Sequence, residues 1–250
     1  MQLRNGEKRL LERDGAAAVY SASEAEFVVD PTVRGKGIGT AVLEEILEKS
    51  DPTVKIWAHG DHPAARTLAA SHGLAPVRRL LQLRAPVDLS SAAETPASET
   101  PAGETPTDET LPDAFRPGVD DAAWLRLNAL AFASHPEQGS VSQADLEELM
   151  SEPWFDAEDF LMIRDGGAPI GFCWLKVEEP VGEFYVVGVD PERQGEGLGR
   201  RLMHAGFARL AFRGIRIAAL YVESDNVAAV ALYRSLGFSD HSIDIQYARA

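Results

Sequence analysis

Two glycine runs carry the clearest chemical signal in this sequence. Gln194-Gly195-Glu196-Gly197-Leu198-Gly199 follows a segment rich in β-branched and aromatic residues and opens into one with helical spacing. Arg34-Gly35-Lys36-Gly37-Ile38-Gly39 repeats the arrangement early in the chain. Glycine at a strand-to-helix turn removes the Cβ atoms that would hold an anion away from backbone N–H groups. A pyrophosphate can then rest on the helix tip, met by unpaired donors and the positive end of the dipole. The spacing matches neither the Walker loop nor the dinucleotide fingerprint, and the absence of Lys-Ser/Thr after the last glycine argues against a nucleotide triphosphatase. A tight turn alone would also use such glycines; their duplication between a strand and a helix favours the phosphate reading.

The elements that must position these turns recur as well. EFVVDPTVRGKGIGTAVLEEIL (26–47) matches YVVGVDPERQGEGLGRRLMHAGF (185–207), and IWAHGDHPAARTLAASHGL (56–74) matches LYVESDNVAAVALYRSLGF (220–238). Each half therefore reads as strand, Gly-rich turn, helix, strand, helix, strand, an α/β pattern. In the second half Asp225 or Asn226 is the N-cap of the last helix and Gly237 its stop. Helices over DAAWLRLNALAF and QADLEELM and a hairpin of FLMIRD and IGFCWLKVE around GGAP precede that pattern. Between the halves, residues 88–113 repeat Glu-Thr-Pro, carry seven acidic residues and no basic one, and read as an extended linker. The expected domains are 1–87 and 114–250.

The chain of 250 residues, 45% hydrophobic and 25% charged, is composed like a globular protein. Its net charge of −15 argues against a nucleic-acid partner, and the absence of a long apolar run argues against a membrane one. The charged N-terminus does not read as a signal peptide, so a cytoplasmic monomer is expected. The single cysteine, Cys173, reads as a buried thiol in an apolar strand, and the scattered histidines show no metal spacing. His59 and His62, in AHGDH, read as polar turn residues.

The strand ending in Val-Asp-Pro, the Gln/Arg-x-x-Gly-x-Gly turn and the helix ending LYRSLGF together resemble the GNAT N-acetyltransferases. The resemblance covers 115–250 and, more thinly, 19–87. It implies two tandem domains, each with a mixed α+β sheet, and acetyl-CoA as co-substrate with no metal. In the second half the implied coenzyme contacts are the strand residues Val187, Gly188 and Val189 and the turn residues Gln194, Gly195, Glu196, Gly197, Leu198, Gly199 and Arg200. The start of the following helix, Asn226, Val227, Ala228, Ala229, Val230 and Ala231, completes them. In the first half they are Phe27, Val28, Val29, Arg34, Gly35, Gly37, Ile38, Gly39 and Thr40.

Acetyl transfer to an amine needs a base, a polarised carbonyl and an acid for the leaving thiolate. By periodicity Tyr233 is a core aromatic and Glu183 a solvated strand-end charge; the resemblance makes Tyr233 the general acid and Glu183 the general base, acting through water. The second half is similar to a two-domain member of the family whose acceptor is the cysteinyl amine of a cysteine–glucosamine–inositol pseudo-disaccharide. That similarity implies substrate contacts from Glu137, in a polar loop, and from Lys176, Glu183 and Tyr221. In the first half Ala69 stands at the position of Tyr233 and Ser23 at that of Glu183. That half is expected to bind coenzyme without turning it over, and it lacks the two helices that precede the family's sheet. Another amine acceptor, or a coenzyme-sensing module without catalysis, are the competing readings.

Overall fold

The computed structural model describes residues 8–13, 15–90, 112–133 and 135–249. Contacts gather into two compact units, Met1–Leu83 with Val222–Ala231 and Asp240–Ala250, and Arg84–Tyr221 with Leu232–Ser239. Of the linker expected at 88–113, residues 91–111 lie outside the described residues. Its last residue, Asp113, pairs with Met162 in a strand.

In the first unit β1 (Arg9–Arg13), β2 (Ala16–Tyr20) and β3 (Glu24–Val29) form an antiparallel meander. Strands β1 and β2 form a hairpin within LLERDGAAAVYSAS. Its turn needs Gly15, which has φ +79° and where a Cβ would lie 2.4 Å from Val33 Cγ2. Helix α1 (Ile38–Lys49) crosses over to β4 (Lys55–Ala58), which runs parallel to β3. Val42, Leu43 and Ile46 form the buried stripe of α1 and cluster with the small residues Ala18 and Ala25 of the sheet. After α2 (Pro63–Ser71) and β5 (Leu74–Pro86), the unit is completed from the far end of the chain. Strand β11 (Ser239–Arg249) lies antiparallel to β4, with Ile245 opposite Ala58 and Tyr247 opposite Ile56.

The second unit has the strand order β10-β9-β8-β7-β6. The hairpin of β7 (Phe160–Asp165) and β8 (Ala168–Glu178) turns on Gly166 and Gly167, both at positive φ. Strand β9 (Val181–Val189) is antiparallel to β8, and helix α6 (Leu198–Phe212) carries the chain to β10 (Ile217–Glu223), parallel to β9. Strand β6 (Asp113–Ala114) borders β7. Ile170 to Leu175 of β8 are buried without alternation, because helices cover both faces of this central strand. On one face Trp124 of α3 (Asp121–Ala131) meets Phe160, Phe172 and Trp174 edge-on, while Phe160 stacks on Trp174 at 4.4 Å. On the other face Phe184 packs against Phe207 of α6 and against Phe238.

Two short helices follow α3: α4 (Pro136–Gly139) and α5 (Gln143–Met150). Ser142 and Asp145 cap α5 reciprocally, each bonding the other's backbone N–H. The segment SHPEQGS, expected as an irregular loop, thus contains a helical turn, started by Pro136 at its first position with His135 Nδ1 accepting from the Gln138 N–H at 3.4 Å. Helix α7 (Val227–Ser235) begins where Asn226 Oδ1 accepts from the Ala229 N–H at 3.2 Å and is followed by Gly237 at φ +88°. No helix among the described residues is long and apolar enough to cross a membrane.

Candidate active site

Strand β9 contains the device that opens the sheet. Its register against β8 runs Lys176↔Glu183 and Leu175↔Phe184, then jumps to Trp174↔Val186, leaving Tyr185 as one extra residue. Such a bulge bends the strand and reverses which face the following side chains occupy. Residues directly opposite on paired strands share a face. Glu183 therefore lies on the same face as Lys176, whose Nζ stands 5.3 Å from the Trp154 ring centroid, and Tyr185 packs on Trp154 and Trp174. Phe184 faces α6, where a Cβ on Gly206 would come within 2.3 Å of its ring. The pairing of β9 with β10 covers Val181, Gly182 and Glu183. From Phe184 to Val189 the edge of β9 toward β10 carries no ladder pair among the described residues. Backbone groups there are available to an extended ligand that adds itself as a strand.

Beyond β9, Asp190 accepts a hydrogen bond from the Glu192 N–H at 2.9 Å, and the chain turns into α6. Gly195 and Gly197 have φ +89° and +79°, and a Cβ at either would meet nothing within 4 Å. Conformation, not crowding, demands glycine at both. Gly197 is the N-cap and no side-chain hydrogen bond caps the helix, so the first-turn amides face outward from the tip. Gly199 has a different reason: its missing side chain lets α7 approach, since a Cβ would sit 3.4 Å from Leu232 Cδ2. Gly188 is likewise a packing glycine, with the Phe172 ring 2.6 Å from where its Cβ would be. Arg193 is fixed by Glu196 at 2.8 Å and Asp165 at 2.6 Å, and Arg200 donates to Ser235 Oγ at 2.8 Å. An open strand edge ending at a glycine-capped helix tip fits the coenzyme implied by the sequence, an extended arm bearing a pyrophosphate.

Two titratable groups lie on opposite faces of the sheet, Glu183 on the Lys176 face and Tyr233 beside Phe238 on the Phe184 face. Burial raises the Glu183 carboxyl above its ordinary value, against the opposing pull of the Lys176 charge. Tyr233, on α7, packs against Phe238 at 5.9 Å, and burial pushes its hydroxyl up to about 12. Cys173, opposite Val187 in the β8–β9 register, is fully buried, and burial alone raises its thiol far above the ordinary value, so it stays protonated. Lys176 is held by Glu178 at 2.9 Å, and Tyr221 of β10 is 43% exposed. Glu137 lies in α4; Asn226 caps α7, Val227 is exposed, and Ala228 to Ala231 follow within that helix.

In the first unit, Gly35 and Gly37 have φ +77° and +80° with open space around them, and Gly39 admits Leu68 of α2 at 3.6 Å. Arg34 Nε donates to the Val29 carbonyl at 3.0 Å; Ile38 and Thr40 lie in the first turn of α1. Ala69 is buried in that unit's core and Phe27 and Val29 pack against it, while Val28 is exposed. The bulge at Tyr185, the aromatic wall of Trp154 and Tyr185, and the pairing of His59 with Glu26 and Asp244 were missed in the sequence. Bulges leave no residue signature when the extra residue is itself an ordinary strand former.

A family model described as "Acetyltransferase (GNAT) family" matches residues 124–238. The chain is 48% identical over 237 residues to a mycothiol acetyltransferase of Sanguibacter keddieii, covering 91% of this chain and 74% of the relative. It is 50% identical over 229 residues to a mycothiol acetyltransferase of Clavibacter michiganensis, covering 91% and 72%. Among solved structures it resembles a GCN5-related N-acetyltransferase from Sphaerobacter thermophilus with a TM-score of 0.73 over 93% of this chain and 76% of the other. At 23% identity that likeness is one of fold.

Proposed function

The chain belongs to the mycothiol acetyltransferase family, and from that premise we propose that its second unit performs the transfer, with Glu183 as base and Tyr233 as acid. The reaction is an acetyl-CoA-dependent N-acetylation, and the acceptor is the cysteinyl amine of desacetylmycothiol, the cysteine–glucosamine–inositol precursor. Acetyl-CoA, when bound, supplies the acetyl thioester. The first-turn amides of α6 at Gly197, Leu198 and Gly199 would hold its pyrophosphate. The free edge of β9 at Val187 to Val189 would hold its pantetheine arm, and a backbone N–H there would supply the donor that polarises a thioester carbonyl.

Glu183, raised toward the working range by burial, takes the proton of the acceptor ammonium through water and leaves a neutral nucleophile. Tyr233, with its hydroxyl at about 12, is fully protonated at neutral pH and gives its proton to the departing thiolate. Lys176 and Glu178 flank the acceptor side of β9, with Trp154 and Tyr185 as an apolar wall for a ring. The observation that carries this reading is the bulged, half-unpaired β9 leading into an uncapped helix tip, with a base and an acid on opposite faces. A panel of amines assayed with acetyl-CoA tests the acceptor: desacetylmycothiol should be acetylated fastest, and rapid turnover of another amine beside failure of this one would reject it. Tyr233→Phe should lower kcat by about 10²–10⁴-fold while leaving coenzyme A affinity unchanged.

A further inference from the structure

Asn128 of α3 is fully buried, on the helix face that carries Trp124 and Leu127 into the core of the second unit. A polar group is kept in such surroundings only when it is hydrogen-bonded. Both ends of the Asn128 amide are bonded to one residue: Nδ2 donates to the Gln138 carbonyl at 2.6 Å, and Oδ1 accepts from Gln138 Nε2 at 3.1 Å. The core of α3 thus grips the backbone and the side chain of the next helix together. For stability alone, apolar residues at both positions would serve at least as well, since a hydrogen-bonded pair gains little over its hydrated groups. What the pair adds is a fixed geometry.

The residue gripped belongs to α4, a helix of four residues that is too short to be stable by itself. Its final carbonyls have no partner inside the helix, and Asn128 supplies one to Gln138. The Gly139 N–H donates to the His135 carbonyl at 2.8 Å, which closes the turn. Gly139 also seats the turn against the end of α3, because a Cβ there would lie 2.4 Å from the Phe132 carbonyl oxygen. That end of α3 reaches β9 as well: a Cβ on Gly188 would come within 3.3 Å of Phe132 Cε2. One rigid helix end therefore touches the strand assigned to the coenzyme and holds the turn whose backbone carries Glu137, the neighbour of Gln138.

We propose that Asn128 is a positioning residue for acceptor recognition: through its paired bonds to Gln138 it fixes the backbone of α4, and with it the place from which Glu137 meets the acceptor. Asn128 acts through Gln138 and the turn, not by contact with acceptor or coenzyme. The proposal rests on the reading of Glu137 as an acceptor contact and concerns binding of the acceptor, not the proton transfers assigned to Glu183 and Tyr233.

Steady-state kinetics of the full chain with desacetylmycothiol, together with amide hydrogen exchange, test it. Asn128→Ala should raise the KM for the acceptor about tenfold, with kcat at saturating acceptor and the KM for acetyl-CoA unchanged. Exchange over 136–139 should quicken in the same variant. Gln138→Ala alters no fully buried side chain and should move the same KM in the same direction, so the test survives if Asn128→Ala folds poorly. Glu137→Ala probes the underlying contact and should raise the acceptor KM about 10–100-fold. Combining Asn128→Ala with Glu137→Ala should add nothing to Glu137→Ala alone, because the anchor acts only through that residue. A raised KM in Glu137→Ala beside an unmoved KM in Asn128→Ala and Gln138→Ala would overturn the proposal and leave the contact standing. An unmoved KM in Glu137→Ala would remove the contact and the proposal with it. Multiplying effects in the double variant, or loss of kcat and coenzyme affinity together in Gln138→Ala, would mark a purely structural pair and overturn the proposal.

Discussion

Alanine at Gly197 separates the backbone argument from every steric one. The residue sits at φ +79° and a Cβ there meets nothing within 4 Å, so the methyl group brings no clash, only the cost of a left-handed conformation. For a non-glycine residue that cost is about 1–2 kcal/mol. The turn has no side-chain cap to hold it, so alanine relaxes it in the free protein and the ligand must restore it on binding. Converted at 1.4 kcal/mol per decade, the Kd for coenzyme A should rise about 5–30-fold in Gly197→Ala. Gly37 provides the matched control, with φ +80° and equally open space at the start of α1. Its alanine variant pays the same local cost away from the β9 edge, so the Kd at the second unit's site should equal the wild-type value. Isothermal titration of the two purified variants measures both. An unchanged Kd in Gly197→Ala, or an equal rise in Gly37→Ala, would refute the reasoning.

Two pH dependences follow from the buried and paired groups. Glu183 must be ionised to accept a proton and its carboxyl is raised by burial, so kcat/KM should fall as pH drops through a value above the ordinary 4.5 of a glutamate. Glu183→Gln should lose that acid limb along with about 10²–10⁴-fold in rate, and a limb that persists in the variant belongs to another group. His59 is raised from 6.5 to about 9, first by its bond to Asp244 and also by that to Glu26. Its contribution to stability is complete below pH 6.5 and disappears as pH rises through about 9. Because the imidazole side chain is 59% exposed, the loss is about 1 kcal/mol, not the full value of the shift. Exchange of the β3–β4 amides at pH 7 and pH 10 should show it in wild type and not in His59→Ala; equal pH dependence in both would refute the assignment.

Much of the architecture was legible because local chemistry specified it. The glycine runs marked both strand-to-helix turns, and positive φ at Gly35, Gly37, Gly195 and Gly197 is what they had in common. The hairpin around Gly166-Gly167, the helix Gln143–Met150 with its Ser142 cap and the N-cap at Asn226 all follow from residues close in sequence. The roles of Glu183 and Tyr233 came from likeness to a family, because neither spacing nor periodicity distinguishes a strand-end acid or a helical aromatic from its inert counterpart.

Tertiary pairing decided the remainder. Nothing in VGEFYVVGV announces that Tyr185 is skipped against β8, since the extra residue is set by the partner strand's register and by rings packed on either face. Nothing in AHGDH announces that His59 bonds two carboxylates, because Glu26 and Asp244 come from opposite ends of the chain. Local sequence wrote the same turn twice. Long-range hydrogen bonds and side-chain packing, which depend on where distant segments meet, put a bulge in β9 and left β3 in unbroken register with β2.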